Sequence, residues 1–92
     1  MAHRISSEAE ANLADNWDYI AKKSGTAEIA DRLIESITDR FLLLSNHPYI
    51  GRRRDDDLRP GLRSFSVENY VILYRIESGD VLILSVMHGH RY

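Results

Sequence analysis

Apolar residues in the first half of the chain recur at steps of three and four, the spacing of one helix face. The first stretch predicts a helix over residues 7–23, and the second predicts a helix that begins after Thr26 and ends at SNHP, residues 45–48. The segment HRIS, residues 3–6, precedes both and is short enough for an edge strand. The two apolar stripes are Leu13, Trp17, Ile20 and Ala21, then Ile29, Leu33, Ile37, Phe41 and Leu44.

Both predicted helices have recognisable capping residues. The sequence SEAE, which begins at Ser7, has the form of a capping box, in which the serine and glutamate side chains satisfy backbone amides reciprocally. Gly25 follows two lysines and a serine, as is typical of a helix C-terminus, and Thr26 can cap the second helix. Pro48 disfavours helix at the residue before it. The short break between the helices predicts an antiparallel helical hairpin.

The second half of the chain has the patterns of strands. LRSFSV, residues 62–67, alternates, whereas YVILYRI, residues 70–76, and VLILSVM, residues 81–87, are apolar throughout and rich in β-branched residues. Tight turns at VEN and ESGD join them into an antiparallel meander. Residues 48–61 hold both prolines, have no periodicity and are predicted to be a linker. The predicted order is β-α-α-β-β-β, an α+β domain whose helical hairpin packs on one face of a small antiparallel sheet.

Both faces of the two long predicted strands are apolar, because the residues on either side of the alternation are aliphatic or aromatic. A helical hairpin can cover only one of these faces. An uncovered apolar face on a small protein usually contacts a partner, so the sequence predicts a partner protein. The alternating sets are Tyr70, Ile72 and Tyr74 against Val71 and Leu73, and Leu82 and Leu84 against Val81 and Ile83.

The composition fits one folded domain over residues 1–92, with 43% apolar and 28% charged residues. No apolar run approaches the ~20 residues of a membrane span, and the N-terminal segment has no secretory pattern. We therefore expect a cytoplasmic protein that does not contact a membrane. The absence of cysteine excludes disulfides and thiolate chemistry.

The charge is low overall and uneven along the chain. A net charge of −2 argues against a domain dedicated to nucleic-acid binding, since such domains are usually strongly basic. Residues 1–46 carry −3, whereas residues 47–92 carry +1 and use arginine without lysine, which suits bidentate and stacked contacts. The run RRRDDD, residues 52–57, is typical of a solvated loop that neutralises itself.

The chain ends with a group of titratable and aromatic residues that we call the C-terminal tip: His88, His90, Arg91 and Tyr92. His88 and His90 form an H-x-H at the end of the last predicted strand, where alternate residues share a face. No further metal ligands accompany them, so we predict neither a metal site nor a cofactor. The tip is better interpreted as part of a contact surface at the end of a rigid strand.

A metal-free ribonuclease would need a base, a phosphate-binding cation and an acid. The C-terminal tip, together with Arg63 and Arg75, supplies residues of these types. Both arginines lie on predicted strands, however, where pairing with a carboxylate on the sheet surface is an equally good interpretation.

Four motifs in order make the second half more specific than a generic meander: HPYIGR, DLRPGLRSFSV, NYVILYRI and VLILSVMHGHR. With the preceding strand and helical hairpin, the chain resembles over nearly its whole length the ParE/RelE superfamily of toxins from bacterial toxin–antitoxin pairs, and most closely the ParE branch. The resemblance implies a cytosolic toxin held inactive by a small ParD-like antitoxin in a hetero-oligomer, without a cofactor. We expect the antitoxin to bind the sheet at Tyr70, Ile72, Tyr74, Leu82 and Leu84.

The two branches imply different targets. A ParE-like toxin would inhibit DNA gyrase by binding, without catalysis, whereas a RelE-like toxin would cleave mRNA on the ribosome. The net charge of −2 and the aliphatic NYVILY segment, where nucleases of the family tend to carry an arginine, favour the ParE branch. The ending resembles nuclease members instead, because Tyr92 replaces an acidic residue and His90 adds an imidazole.

We therefore expect the target to be bound by the C-terminal tip and Arg63. The alternative is an mRNA endonuclease that uses the tip as acid, base and phosphate-binding cation. A third alternative is an interaction module that has lost toxicity.

Overall fold

Seven helices and strands follow one another in the described part of this computed structural model, residues 2–89. The helices and the three long strands fall where the hydrophobic pattern predicts them. None of the helices in this part of the chain has the length and apolarity that a bilayer crossing needs. In chain order the elements are β1 (His3–Ile5), α1 (Ser7–Ser24), α2 (Ala27–Asn46), β2 (Arg52–Arg53), β3 (Arg63–Val67), β4 (Tyr70–Glu77) and β5 (Asp80–His88).

Serine and threonine hydroxyls cap the helices, although one cap differs from the prediction. Ser6 caps α1, because its hydroxyl accepts a hydrogen bond from the Ala9 amide at 3.0 Å. The capping box predicted to begin at Ser7 is therefore wrong by one residue. The same Ser6 hydroxyl donates to a carbonyl of β5 at 2.8 Å, which places the cap at the point where β1 leaves the sheet. Thr26 caps α2 as predicted, and Gly25 ends α1 with a φ of 76°.

The strands form one sheet in the order β1-β5-β4-β3-β2. β5 and β1 are parallel, and every other pair is antiparallel. The sheet is therefore mixed, because the chain crosses over through the helical hairpin before β5 pairs with β1. The segment predicted as a linker also contains β2, which pairs with the start of β3. Two residues are too few to give a periodic signal in the sequence.

The helices cover one face of the sheet and form the core with it. Tyr70, Ile72 and Tyr74 lie on this face and are only 5%, 0% and 0% exposed. The prediction that a partner contacts Ile72 and Tyr74 is wrong for the chain as folded, since both are fully buried, whereas Tyr70 also lines a cleft at one end of the sheet. The core cluster is Ala9, Ile37, Phe41, Leu44, Val67, Tyr70, Ile72, Tyr74, Val81, Ile83 and Val86.

The opposite face, which we call the open sheet face, carries the half-buried residues Val71, Leu73, Leu82, Leu84 and Met87. Two of the predicted partner-binding residues, Leu82 and Leu84, are on this face. The core residues on the sheet lie on the other face, against the helices. An apolar sheet face outside the core is thus present, as the alternation predicts.

A bulge in β5 interrupts the alternation of the strand. Leu73 pairs with Ser85 and Tyr74 pairs with Ile83, so Leu84 has no partner residue in β4. Helix α1 supports the irregular backbone, because the Asn12 side-chain oxygen accepts a hydrogen bond from the Val86 amide at 2.9 Å. Bulges of this kind redirect the end of a strand. Here the redirected end is His88.

Candidate interaction site

A cleft of about 880 Å³ lies between the turn of the helical hairpin and one end of the sheet. We call it the hairpin cleft. Its walls come from the C-terminal part of α1 and the first turns of α2, and its floor comes from the β3–β4 turn and the end of β5. Its lining residues are Tyr19, Ile20, Lys23, Ile29, Arg32, Leu33, Glu68, Asn69, Tyr70 and His88.

The floor of the hairpin cleft is built around two rings. Tyr70 and His88 are register partners in β4 and β5, and their rings meet edge to face at 82° with 5.3 Å between centroids. The Gly89 amide donates to the Asn69 carbonyl at 2.7 Å, which extends the pairing beyond the strands. His88 is therefore held on a rigid strand end inside a concave surface, as the sequence predicted for the start of the C-terminal tip.

The walls of the hairpin cleft expose large apolar side chains. Tyr19 and Ile29 are 55% and 48% exposed. The Lys23 ammonium lies 5.6 Å from the centre of the Tyr19 ring, and Arg32 pairs with Glu28 at 2.7 Å on the outer rim. The cleft thus combines an apolar wall with the Lys23 cation, while Arg32 is paired and Glu68 also lines the cleft. This lining suits a largely apolar protein segment.

The sequence predicted only part of this cleft. Ile29 belongs to the apolar stripe predicted for α2, yet it is 48% exposed and lines the cleft. Tyr19 is a large aromatic residue outside the apolar stripe of α1, and such a position indicates an exposed contact residue. Trp17 does lie in that stripe, and its indole N–H joins the two helices by donating to the Asp31 carboxylate at 2.8 Å.

The structure separates the predicted target-binding residues that it describes. Arg63 pairs with Tyr74 near the middle of β4, whereas His88 pairs with Tyr70 at its start, a separation of about 13 Å along the strand. The remaining members of the C-terminal tip, His90, Arg91 and Tyr92, lie outside the described residues. Within residues 2–89, therefore, Arg63 and His88 do not form a single site.

The two strand arginines of the ribonuclease alternative have structural partners. Arg75 forms an ion pair with Glu77 at 2.7 Å. Arg63 instead donates to the Gly51 and Tyr49 carbonyls at 2.8 and 3.2 Å. In the described part of the chain, residues 2–89, no group of three side chains could hold a metal ion.

The charged run after α2 is largely neutralised, as predicted. Arg53 pairs with Asp55 at 2.7 Å, and Arg54 pairs with Asp57. The pKa of Asp55 is lowered, first by the Gly61 amide and then by Arg53, and the pKa of Asp57 is lowered by Arg54. These contacts turn the loop into a defined structure beside β2.

The loop between α2 and β2 is fixed by a core tyrosine. The Tyr74 hydroxyl donates to the Pro48 carbonyl at 2.8 Å and accepts from the Gly51 amide at 2.9 Å. Burial raises the pKa of Tyr74 above its ordinary value. The guanidinium of Arg63 lies 5.2 Å from the centre of the Tyr49 ring in the same loop.

The sequence of residues 4–91 matches a family model described as the ParE toxin of the type II toxin–antitoxin system parDE. The chain belongs to the ParE toxin family. The match spans both helices, the sheet and part of the C-terminal tip, so this toxin is related to the family over almost all its length. This confirms the ParE branch indicated by the four sequence motifs.

Two relatives come from Caulobacter vibrioides. Toxin ParE3 is 44% identical over 62 residues, which is 67% of this chain and 61% of ParE3. The match therefore spans less than two thirds of that relative. Toxin ParE1 is 31% identical over 86 residues, 94% of this chain and 86% of ParE1.

Solved structures share the fold. A chain of the chromosomal ParDE toxin–antitoxin system from P. aeruginosa superposes with a TM-score of 0.83 at 21% identity, over 96% of this chain and 95% of that one. A chain of the RelBE2 toxin–antitoxin complex from Mycobacterium tuberculosis gives a TM-score of 0.66 at 24% identity, over 95% of each chain. The helical hairpin on a small sheet is thus the fold of ParE and RelE toxins.

Proposed function

We propose that this ParE-family toxin inhibits DNA gyrase by binding it and that a cognate ParD-like antitoxin neutralises it. The observation that carries the proposal is apolar surface that the folded chain leaves uncovered, in the hairpin cleft and on the open sheet face. This surface suits protein partners, and membership of the ParE family supports gyrase as the target.

The hairpin cleft is the proposed principal antitoxin site. Tyr19 and Ile29 offer an apolar wall to an amphipathic segment, and Lys23, whose ammonium lies beside the Tyr19 ring, is placed to meet an acidic residue of that segment. An exposed apolar wall of this kind contributes most when a partner desolvates it fully. The origin of both structural relatives in toxin–antitoxin systems also supports a hetero-oligomer with an antitoxin.

The open sheet face is the proposed second antitoxin site. Leu82 and Leu84 stay in the predicted set, and their neighbours on the same face are Val71, Leu73 and Met87. Ile72 and Tyr74 leave the set because they are fully buried core residues, whereas Tyr70 stays in it as part of the floor of the hairpin cleft. A segment that crosses this face would bury apolar side chains that the helices do not reach.

Binding without catalysis accounts better for the charges than RNA cleavage does. The net charge of −2 opposes the approach of a polyanion. Arg75 is paired with Glu77, and Arg63 lies about 13 Å from His88 along β4, so neither guanidinium is placed to hold a phosphate beside that imidazole. The target contacts proposed for the C-terminal tip and Arg63 then serve recognition, with Arg and Tyr as interface anchors.

A paired assay with the purified toxin tests the proposal. One arm measures supercoiling by purified DNA gyrase, and the other measures cell-free translation together with mRNA integrity. We expect supercoiling to be inhibited and mRNA to stay intact, and addition of the antitoxin to restore supercoiling. Normal supercoiling with cleaved mRNA would establish the endonuclease alternative. Normal results in both arms, with normal growth on full expression, would indicate a module without toxicity.

A further inference from the structure

The loop between α2 and β2 exposes two large apolar side chains beside several arginines. Tyr49 and Ile50 are 68% and 48% exposed. We call the group formed by Tyr49, Ile50, Arg52, Arg53 and Arg63 the Tyr49 surface. It lies beyond the C-terminal end of α2, whereas the hairpin cleft lies at the N-terminal end, about 25 Å away along a helix of this length.

Hydrogen bonds from residues of the sheet hold the loop that carries the Tyr49 surface. Tyr74 bonds to both Pro48 and Gly51, and Arg63 donates to the Gly51 carbonyl at 2.8 Å. The Ile50 amide donates to the His47 carbonyl at 3.2 Å. A partner that binds here would therefore not have to order the loop first, and such preorganisation strengthens binding.

Two shallow recesses adjoin this loop. Tyr49 lines one of about 340 Å³ together with Arg53, Arg63 and Ile76. Ile50 lines another of about 480 Å³, in which Arg52 and Phe65 take part. The Tyr49 surface thus adjoins two depressions, and a partner can place side chains in them.

The charge of this region is opposite in sign to that of the rest of the chain. Residues 52–63 hold five arginines and three aspartates, a net charge of +2, so the remainder carries −4. Two of the arginines are neutralised by Asp55 and Asp57. In the part of the chain that the structure describes, Arg52, Arg59 and Arg63 form no ion pair with a carboxylate.

We propose that the Tyr49 surface docks an acidic face of the toxin's target protein, with apolar side chains seated beside Tyr49 and Ile50 and carboxylates facing Arg52 and Arg63. This inference rests on the proposed function, which makes the target DNA gyrase. A second copy of the chain fits poorly through a two-fold contact, because the same arginines would then face each other. The proposed principal antitoxin site is the hairpin cleft at the other end of α2, which leaves Tyr49 and Arg63 to the target, while the recess beside Ile50 adjoins the open sheet face at Val71.

Site-specific photocrosslinking to purified DNA gyrase tests the inference. p-Benzoylphenylalanine replaces Tyr49 in one variant and Asp15, an exposed residue in the middle of α1, in the control. We expect a crosslink from position 49 to an acidic segment of gyrase and none from position 15. The absence of a position-49 crosslink while the wild-type toxin inhibits supercoiling would overturn the inference and leave the proposed function standing. A crosslink only to antitoxin or to another toxin copy would do the same.

A charge reversal supplies the second readout. Arg52→Glu is expected to raise the toxin concentration needed for inhibition about tenfold, whereas the matched reversal Lys22→Glu on exposed α1 surface changes it less than about twofold. Equal effects of the two reversals would overturn the inference. A wild-type toxin that arrests growth but does not act on gyrase refutes the proposed function alone. In that case growth arrest replaces supercoiling as the readout. The inference fails if the Arg52→Glu toxin arrests growth as fully as the wild-type toxin. A wild-type chain that neither arrests growth nor acts on gyrase refutes both the proposed function and the inference.

Discussion

The Gly51 amide donates a hydrogen bond to the Tyr74 hydroxyl across 2.9 Å, which ties an exposed loop to a fully buried side chain of the sheet. A Cβ atom on Gly51 would lie 2.2 Å from that hydroxyl oxygen and 2.6 Å from the nearest ring carbon. Gly51 is thus required because the Tyr74 ring occupies the space that any larger residue needs. The core thereby positions the loop that carries Tyr49.

Substitution of Gly51 by alanine forces this contact apart. We expect Gly51→Ala to lower the free energy of unfolding by about 1–3 kcal/mol, the usual cost of overpacking a well-filled core. Urea unfolding followed by circular dichroism measures the loss. Ser66→Ala, at an exposed β3 position, is the control and should change stability by less than about 0.5 kcal/mol. A fully stable Gly51→Ala protein would contradict the geometry.

Removal of the Tyr74 hydroxyl leaves two loop groups without their partner. Tyr74→Phe should cost about 1–3 kcal/mol, and it should increase amide hydrogen exchange at Gly51. The matched control is Tyr49→Phe, whose hydroxyl belongs to a side chain that is 68% exposed. Equal stability of the two variants would show that the hydroxyl does not hold the loop.

Alanine substitution of two adjacent serines distinguishes the observed cap of α1, Ser6, from the predicted cap, Ser7. Ser6→Ala should destabilise the protein by roughly 1–2 kcal/mol, because it removes both the cap of α1 and the bond to the Leu84 carbonyl. Ser7→Ala replaces an exposed residue in the first turn and should have little effect. A larger loss in Ser7→Ala than in Ser6→Ala, measured by thermal unfolding, would favour the predicted capping box.

Asp55 and Asp57, in the loop after β2, make the free energy of unfolding depend on pH in the acid range. The pKa values of Asp55 and Asp57 are lowered in the folded state. Their contribution is therefore present above the unfolded-state pKa and is lost as the pH falls through the folded-state value, from about pH 4 downward. Urea midpoints at a series of pH values should fall less steeply on the acid side in Asp55→Asn than in wild type. Asp56→Asn is the control, and an unchanged acid slope in Asp55→Asn would contradict the assignment.

The hairpin cleft makes a specific prediction for antitoxin binding. Ile29→Glu places a charge on the exposed apolar wall and should weaken the affinity for the antitoxin at least about tenfold, with little loss of stability. Leu42→Glu changes a residue of the same helix that is 59% exposed and lies towards its other end. Calorimetric titration of both variants with the antitoxin should show a loss only for Ile29→Glu. Equal affinities of the two variants would show that the antitoxin does not bind at the hairpin cleft.

Local pattern predicted the elements of this fold well, because helix periodicity, Thr26, Gly25 and the turn residues all act over short distances. The pattern did not determine which sheet face the helices cover. Tyr70 and Val71 are both apolar, so alternation alone leaves the two faces equivalent, and only packing against the two helices buries the side that carries Tyr70.

The remaining differences arise from contacts distant in sequence. The cap at Ser6 depends on β5, and the bulge near Leu84 depends on Asn12 of α1. Arg63 was predicted to contact a target or pair with a carboxylate, and its actual bonds reach the loop at Gly51, which no sequence spacing indicates. The hairpin cleft needs a helix turn and a strand end together, so only the folded chain brings Tyr19 towards His88.

The most direct test of the account is a titration of gyrase supercoiling against toxin concentration. An inhibitor that acts by binding should reduce supercoiling only as its concentration reaches or exceeds that of gyrase, and stoichiometric antitoxin should restore the activity. Full supercoiling at a large excess of toxin, with translation abolished at far less than one toxin per ribosome, would contradict the account.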